Sequence, residues 1–139
     1  MLLFLPTFSV QWQYFGSKKE TTMYCKASET CERSEIPMTV GATIARLSPE
    51  EEQDFLVRRI ALEAGGSMPR HTNQIQHQQF VLSGEATVGI GEETYHAKAG
   101  DFLYIPAGVA HYYEASYGSD YQFLCMITTA EDEIVMVDA

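Results

Sequence analysis

From Thr39 onward, apolar and polar residues alternate in short runs that are separated by glycine, proline and asparagine. An alternation of this kind is typical of strands with one buried face, and the closely spaced turn signals favour an antiparallel sandwich or barrel. No long run has the period of a helix. The predicted strands are Thr39–Leu47, Phe55–Glu63, Met68–Asn73, Gln78–Ser83, Glu85–Ile90, Glu93–Ala97, Phe102–Ile105, Ala110–Ala115, Tyr121–Thr128 and Glu133–Val137. The predicted turns lie at Gly65-Gly66, Gly84, Gly91, Gly100 and Pro106-Ala107-Gly108.

Residues 1–37 carry no sustained period and differ in this respect from the rest of the chain. They are interpreted as an irregular N-terminal extension, partly disordered or contributing a strand near Phe8–Phe15, ahead of a single barrel domain over residues 38–139. An alternative is that translation begins at Met23. The apolar start lacks the positive region of a secretory signal, and no run approaches the length of a membrane span, so no membrane partner is expected.

The charge balance excludes one class of partner. The chain of 139 residues has a formal net charge of −10, which repels a phosphate backbone, so nucleic acid is not expected as a partner. The acidic clusters 50–52 and 131–133 are interpreted as solvated surface residues. Cys25, Cys31 and Cys125 form no disulfide framework, which favours the reducing cytoplasm as the location.

The alternation also predicts which side chains of the strand Phe55–Glu63 face the interior. Leu56, Ile60 and Leu62 share its more apolar face, so this face is expected to be buried. Arg58 shares the same face. A guanidinium inside a barrel needs a carboxylate, a carbonyl, water or a ligand as its partner.

The same alternation between odd and even positions, here called parity, groups the candidate metal ligands. His71, Asn73 and His77 have equal parity, and a short loop after Asn73 would leave all three pointing into the barrel. His111 shares a face with Tyr113 farther along the chain. His96 lies beside a predicted hairpin and is expected to be a surface residue.

Two stretches of sequence combine these histidines with glycine and proline. The first, from Gly66 to Gly84, reads GSMPRHTNQIQHQQFVLSG, and the second, from Gly100 to Ala115, reads GDFLYIPAGVAHYYEA. In this order they resemble the two sequence motifs of the cupin family. The resemblance covers roughly residues 38–139 and implies an all-β fold, namely an antiparallel β-sandwich or jelly-roll barrel.

The resemblance also implies a metal site. Carried over by position, His71, His77 and His111 supply imidazole nitrogens, and Asn73 is either a weak oxygen ligand or a hydrogen-bonding neighbour, with Gln79 as a lower-ranked substitute. The chain departs from the family pattern because Asn73 replaces a histidine, His77 replaces a glutamate and Ala115 replaces an asparagine. One divalent transition metal ion is expected: iron, manganese, nickel, copper or zinc. The alternative is a metal-free cupin with three core histidines.

The expected substrate follows from the charge of this site. A histidine in place of glutamate removes a negative charge, and an inward Arg58 adds a positive one, so a small organic substrate with a carboxylate or enolate oxygen is predicted. Arg58 and Tyr113 are the candidate catalytic residues, and Tyr113 would orient a bound oxygen. Alternation and the resemblance together place the remaining pocket candidates in the lumen: Met68, Phe123, Cys125 and Ile127.

Three functions stay open at this point. A mononuclear, oxygen-dependent enzyme resembling the cupin dioxygenases is favoured over a non-redox lyase, decarboxylase or isomerase, because no inward carboxylate is evident as a general base. The third is a non-catalytic module that binds a metabolite or metal. The resemblance implies a homodimer, and an outward apolar face is available for sheet packing or a dimer interface: Phe80, Leu82, Phe102 and Tyr104.

Overall fold

A computed structural model describes residues 22–138 of the chain. Within this range one short 3-10 helix, Ser28–Thr30, precedes ten strands. The strands are β1 (Arg33–Glu35), β2 (Val40–Arg46), β3 (Phe55–Thr72), β4 (His77–Ser83), β5 (Glu85–Ile90), β6 (Glu93–Lys98), β7 (Phe102–Ile105), β8 (His111–Ala115), β9 (Tyr121–Thr128) and β10 (Val135–Met136). The strand predicted near Phe8–Phe15 lies outside the described residues.

The predicted all-β architecture is confirmed. The strands form one curled antiparallel sheet in the order β6-β5-β8-β3-β9-β4-β7, with β1, β2 and β10 joined to it through β2 and β3. The alternation along the strands is also confirmed, because Leu62, Val81, Val88 and Phe123 are completely buried. In the part of the chain that the structure describes, no helix is long and apolar enough to span a membrane.

The turn predicted at Gly65-Gly66 is wrong, because β3 continues through it and joins two predicted strands into one of 18 residues. The register with β2 shifts opposite this point, as at a β-bulge. A Cβ at Gly66 would lie 2.6 Å from the carbonyl oxygen of Val40, so glycine permits this close approach of the two strands.

The bulge lets β3 pair with different strands along its length. Its first half pairs with β9 from Phe55 to Leu62, and its second half pairs with β8 from Ser67 to His71. A single strand therefore carries side chains to two parts of the barrel wall that face one interior.

The outer side of β4 and β7 remains apolar. Phe80 and Phe102 are partners across the two strands and are 43% and 58% exposed, and Leu82 and Tyr104 lie on the same outer side. This confirms the predicted outward orientation of these residues. The homodimer that the sequence led us to expect stays a prediction.

The turn after β4 provides a test of the fold. Gly84 has a φ of 76°, and a Cβ there would lie 2.0 Å from the carbonyl oxygen of Asp120, whereas Gly108 has a φ of 78° with nothing within 4 Å. We expect Gly84→Ala to lower the free energy of unfolding by about 3 kcal/mol or more, and Gly108→Ala by only about 1 kcal/mol. Urea denaturation measures both values, and equal losses would contradict the described packing.

Candidate metal centre

Three histidines from separate strands line one interior cavity of about 170 Å³. His71 lies near the end of β3, His77 begins β4 and His111 begins β8. His71 and His111 are direct partners in the antiparallel pairing of β3 with β8, which places their ring centroids 4.2 Å apart. The centroids of His77 and His111 are 5.9 Å apart. The structure thus brings the three predicted nitrogen ligands to the same cavity.

Backbone carbonyls determine which ring nitrogens are free. Nδ1 of His71 lies 2.8 Å from the carbonyl oxygen of Pro69, and Nδ1 of His111 lies 2.9 Å from that of Val109. A carbonyl only accepts hydrogen bonds, so Nδ1 donates in each neutral ring and Nε2 keeps its lone pair. Nε2 of His111 is buried without a hydrogen-bond partner, as is Nε2 of His77.

These buried imidazoles are held in their neutral form. Burial, together with the nearby positive charge of Arg58 and the neighbouring imidazoles and against the opposing effect of Asp132, lowers the pKa of His77 to about 4. Burial likewise lowers the pKa of His111 to about 4, although its hydrogen bond to Val109 opposes the shift. Neutral imidazole is the form that binds a metal ion.

Asn73 also lines the cavity and presents an unpaired oxygen. Its Nδ2 donates a hydrogen bond of 2.7 Å to Oδ2 of Asp132, and its Oδ1 is buried without a partner. Because Asp132 occupies the amide nitrogen, the carbonyl end of Asn73 is left as the free acceptor. This arrangement is chemically suited to a weak oxygen ligand.

Arg58 supplies a positive charge to the same cavity from the first half of β3. One of its terminal nitrogens donates to Sγ of Cys125 at 3.2 Å, and its Nε is buried without a partner. Cys125 is completely buried, and its Sγ also lies 3.5 Å from Nδ1 of His77. The guanidinium therefore keeps a free donor for an anionic ligand.

The other predicted pocket residues separate into two groups. Tyr113, Met68 and Phe123 line the cavity, whereas Ile127 does not and lines a separate cleft. Tyr113 stacks on Phe123 and exchanges hydrogen bonds with the side chain of Gln79, with Nε2 of Gln79 donating at 2.7 Å. Burial raises the pKa of Tyr113 well above its ordinary value, so its hydroxyl stays protonated.

Two carboxylates at the cavity were missed by sequence analysis. Asp132, interpreted there as one of several solvated residues, lines the cavity and accepts the backbone N–H of Gln74 at 2.7 Å in addition to the amide of Asn73. Glu35 of β1 also contributes to the lining. Both residues are exposed, so they belong to the mouth of the cavity. The sequence prediction concerned carboxylates inside the barrel, and it did not anticipate these two at the opening.

The donor set suits a divalent transition metal ion, although the rings do not form a complete centre as they stand. In residues 22–138 no group of three or more His, Cys, Asp or Glu side chains is arranged to hold a metal ion. A metal–nitrogen bond of about 2 Å would place the centroids of adjacent imidazole ligands about 4.5–5.5 Å apart. The observed 4.2 and 5.9 Å lie on either side of this range, so small ring movements would be needed.

Comparisons with known proteins agree with the fold. The polyketide cyclase RemF from Streptomyces resistomycificus has a TM-score of 0.77 at 18% identity, covering 85% of this chain and 87% of that chain. A cupin-2 domain protein from Rhodospirillum rubrum has a TM-score of 0.69 at 19% identity, covering 78% of this chain and 73% of that one. Identities this low are informative about the fold alone.

Sequence comparison locates the family match. Uncharacterized protein SCO3923 of Streptomyces coelicolor is 37% identical over 60 residues, which are 43% of this chain and 57% of that protein, so the match spans little more than half of that relative. Residues 58–127 match the Cupin_2 family, described as a cupin domain. This match is half of the chain and contains Arg58 and all three cavity histidines. The chain belongs to the cupin domain family.

Proposed function

We propose that this cupin binds one divalent transition metal ion on His71, His77 and His111, and that it acts on an enolisable or anionic organic substrate. The observation that carries the proposal is the presence of buried Nε2 atoms without partners beside the free Nε of Arg58. A buried polar atom without a hydrogen bond is costly, so such a group is expected to receive a ligand.

Asn73 provides an optional fourth donor. Its Nδ2 is held by Asp132, and its buried Oδ1 has no partner at the same cavity. Asp132 would then act on the ion indirectly, by fixing which end of the amide faces it. Interactions of this kind commonly tune metal affinity.

Each part of the cavity contributes to substrate binding in a different way. A bound metal ion would supply Lewis-acid polarisation of a substrate oxygen. Arg58 would bind the carboxylate or the developing enolate through its free Nε–H, and the aromatic rings of Tyr113 and Phe123 would form an apolar wall behind it. The hydrogen bonds between Tyr113 and Gln79 keep this wall rigid.

Asp132 favours a non-oxidative reaction. Its carboxylate stands at the cavity mouth and would accept a proton from a carbon next to a substrate carbonyl, leaving an enolate oxygen for Arg58 to stabilise. Isomerisation, elimination and cyclisation can begin with this proton transfer, and the polyketide cyclase among the proteins of similar fold is compatible with such a class.

The oxygen-dependent, dioxygenase-like reaction is the second candidate. It is supported by the nitrogen-rich donor set, since three histidines suit redox-active metals such as iron and copper, and not only zinc. Oxygen uptake by the metal-loaded protein separates the two candidates. Substrate turnover under anaerobic conditions supports proton transfer, and turnover that stops without oxygen supports oxidation.

Removing one predicted ligand tests the metal site. We expect His111→Ala to weaken binding of Zn²⁺ or Ni²⁺ by about 100-fold or more, because a buried donor is lost. Isothermal titration with elemental analysis measures the change. His96→Ala is the matched control, since the His96 side chain is 59% exposed on β6. Wild-type metal content in His111→Ala would contradict the assigned site.

Stability of the metal-free protein should depend on pH through the buried histidines. His111 has a folded pKa of about 4 and an ordinary value of 6.5, so the unfolded chain binds more protons between these values, and stability falls as pH decreases through this window. We expect His111→Asn to reduce the slope of unfolding free energy against pH, between pH 5 and 6, by about 1 kcal/mol per unit. Urea denaturation measures it, and identical slopes for variant and wild type would be inconsistent with a buried neutral imidazole.

The role of Asp132 is tested separately from metal binding. We expect Asp132→Asn to slow deuterium exchange from D₂O into 2-oxobutanoate by about 100-fold when the metal site is saturated in both proteins, because the amide cannot accept the proton. Proton NMR measures the exchange. Glu133→Gln is the control on the neighbouring residue, whose carboxylate accepts a hydrogen bond from Gln74 instead. Equal exchange rates in the two variants would exclude Asp132 as the base.

A further inference from the structure

An apolar groove of about 270 Å³ adjoins the histidine cavity. The two spaces share five lining residues, which come from three separate parts of the chain: Ile36, Pro37, Met68, His71 and Ile134. His71 therefore lines both spaces, and the groove and the cavity lie side by side.

The outer part of the groove exposes apolar side chains to solvent. Met38 is 72% exposed, Ile134 is 63% exposed and Met136 is 38% exposed, and all three line the groove. Apolar side chains gathered around an opening are typical of a ligand-binding entrance.

Met38 is held at this entrance in an unfavourable backbone conformation. Its φ is 63°, and no other non-glycine residue within 22–138 has a positive φ. The preceding Pro37 and the hydrogen bond of 2.6 Å from Oγ1 of Thr39 to the carbonyl oxygen of Ile36 define a tight turn, in which glycine is the usual residue at the position of Met38. A strained residue with an exposed side chain at an opening indicates a functional constraint.

We propose that the groove holds the apolar body of the substrate while its oxygen anion lies at Arg58 and the imidazoles. The head-group position rests on the proposed function, whereas the groove is an independent observation. A methylene group and a water molecule occupy similar volumes, roughly 30 Å³, so the groove accommodates on the order of eight to ten carbon atoms. The substrate class is thus an amphipathic organic acid or enol.

Adjacency and charge favour this occupant over a second protein chain. Arg58 presents a free donor at the histidine cavity, and the adjoining groove is apolar, which together match the polarity of an amphipathic anion. A protein surface covering the entrance would leave the inner donor without a partner.

The test uses straight-chain carboxylates as probes for the full-length, metal-free protein. Isothermal titration is performed with acetate, hexanoate, octanoate and decanoate. We expect the dissociation constant to fall by about threefold for each added methylene between hexanoate and decanoate, as apolar surface enters the groove. No dependence on chain length would overturn the proposal.

Variants locate the binding. Met38→Gly relieves the strained φ and removes the side chain, so we expect decanoate to bind at least fivefold more weakly at an unchanged or higher thermal midpoint. Met38→Asn, which also tolerates a positive φ, provides a second variant with the same expected loss of affinity. The matched control is Phe102→Ser on the outer face of β7, which is 58% exposed. Equal weakening by Phe102→Ser would indicate nonspecific adsorption and overturn the proposal.

The head group is tested by comparing decanoate with decanol. We expect wild type to prefer decanoate by at least tenfold and Arg58→Gln to lose this preference while keeping the dependence on chain length. A preference that persists in Arg58→Gln would refute the assigned orientation. These measurements need no metal and no turnover. Wild-type metal content in His111→Ala would contradict the proposed function and would leave the groove result unaffected.

Discussion

The pairing of β3 with β8 is the constraint on which the site depends. It makes His71 and His111 direct neighbours, and each ring is held at Nδ1 by the carbonyl oxygen of the residue two positions earlier in the chain. The same local geometry on two antiparallel strands turns both Nε2 atoms away from the backbone. The pairing in turn requires β3 to continue past Gly66, because the half of β3 before this point pairs with β9 instead. The bulge is therefore a structural requirement of the site.

Much of the fold follows from local sequence, and the exceptions have a common cause. Alternation predicts the strands and the inward orientation of Ile60 and Leu62, because successive side chains of a strand point to opposite faces of the sheet. Gly65-Gly66 gives the same local signal for a turn and for a bulge, and the choice depends on the partner strand β2. Contacts with distant segments cannot be read from a local pattern.

The residues of the candidate site are likewise only partly predictable from local sequence. The histidines are identified by position within two motifs, and the structure places them on one cavity. Asp132 carries no such signal, because it reaches the cavity only when the C-terminal segment pairs alongside the end of β3, where Val135 and Met136 are the partners of Thr72 and His71. Ile127 shares the parity of Phe123 but lies past the end of the cavity, in a separate cleft. Parity predicts the face of a strand and not the position along the barrel axis.

The acidic net charge of the protein is compatible with the proposed anionic ligand. In the part of the chain that the structure describes, the acidic side chains are mostly exposed, where salt screens their charge within about 10 Å. Arg58 instead lies in a largely apolar interior, where a charge acts more strongly on a nearby ligand. His77 and His111 are neutral and do not attract an anion by charge. The attraction therefore comes from Arg58, and a bound cation would add to it.

The central claim is that three imidazoles from β3, β4 and β8 share one cation. X-ray absorption spectroscopy of the protein loaded with one equivalent of Zn²⁺ tests it most directly, because the fine structure reports the number and distance of imidazole ligands. The account predicts three imidazole nitrogens at about 2.0–2.1 Å, with oxygen completing the coordination. A spectrum with one imidazole or none would contradict it.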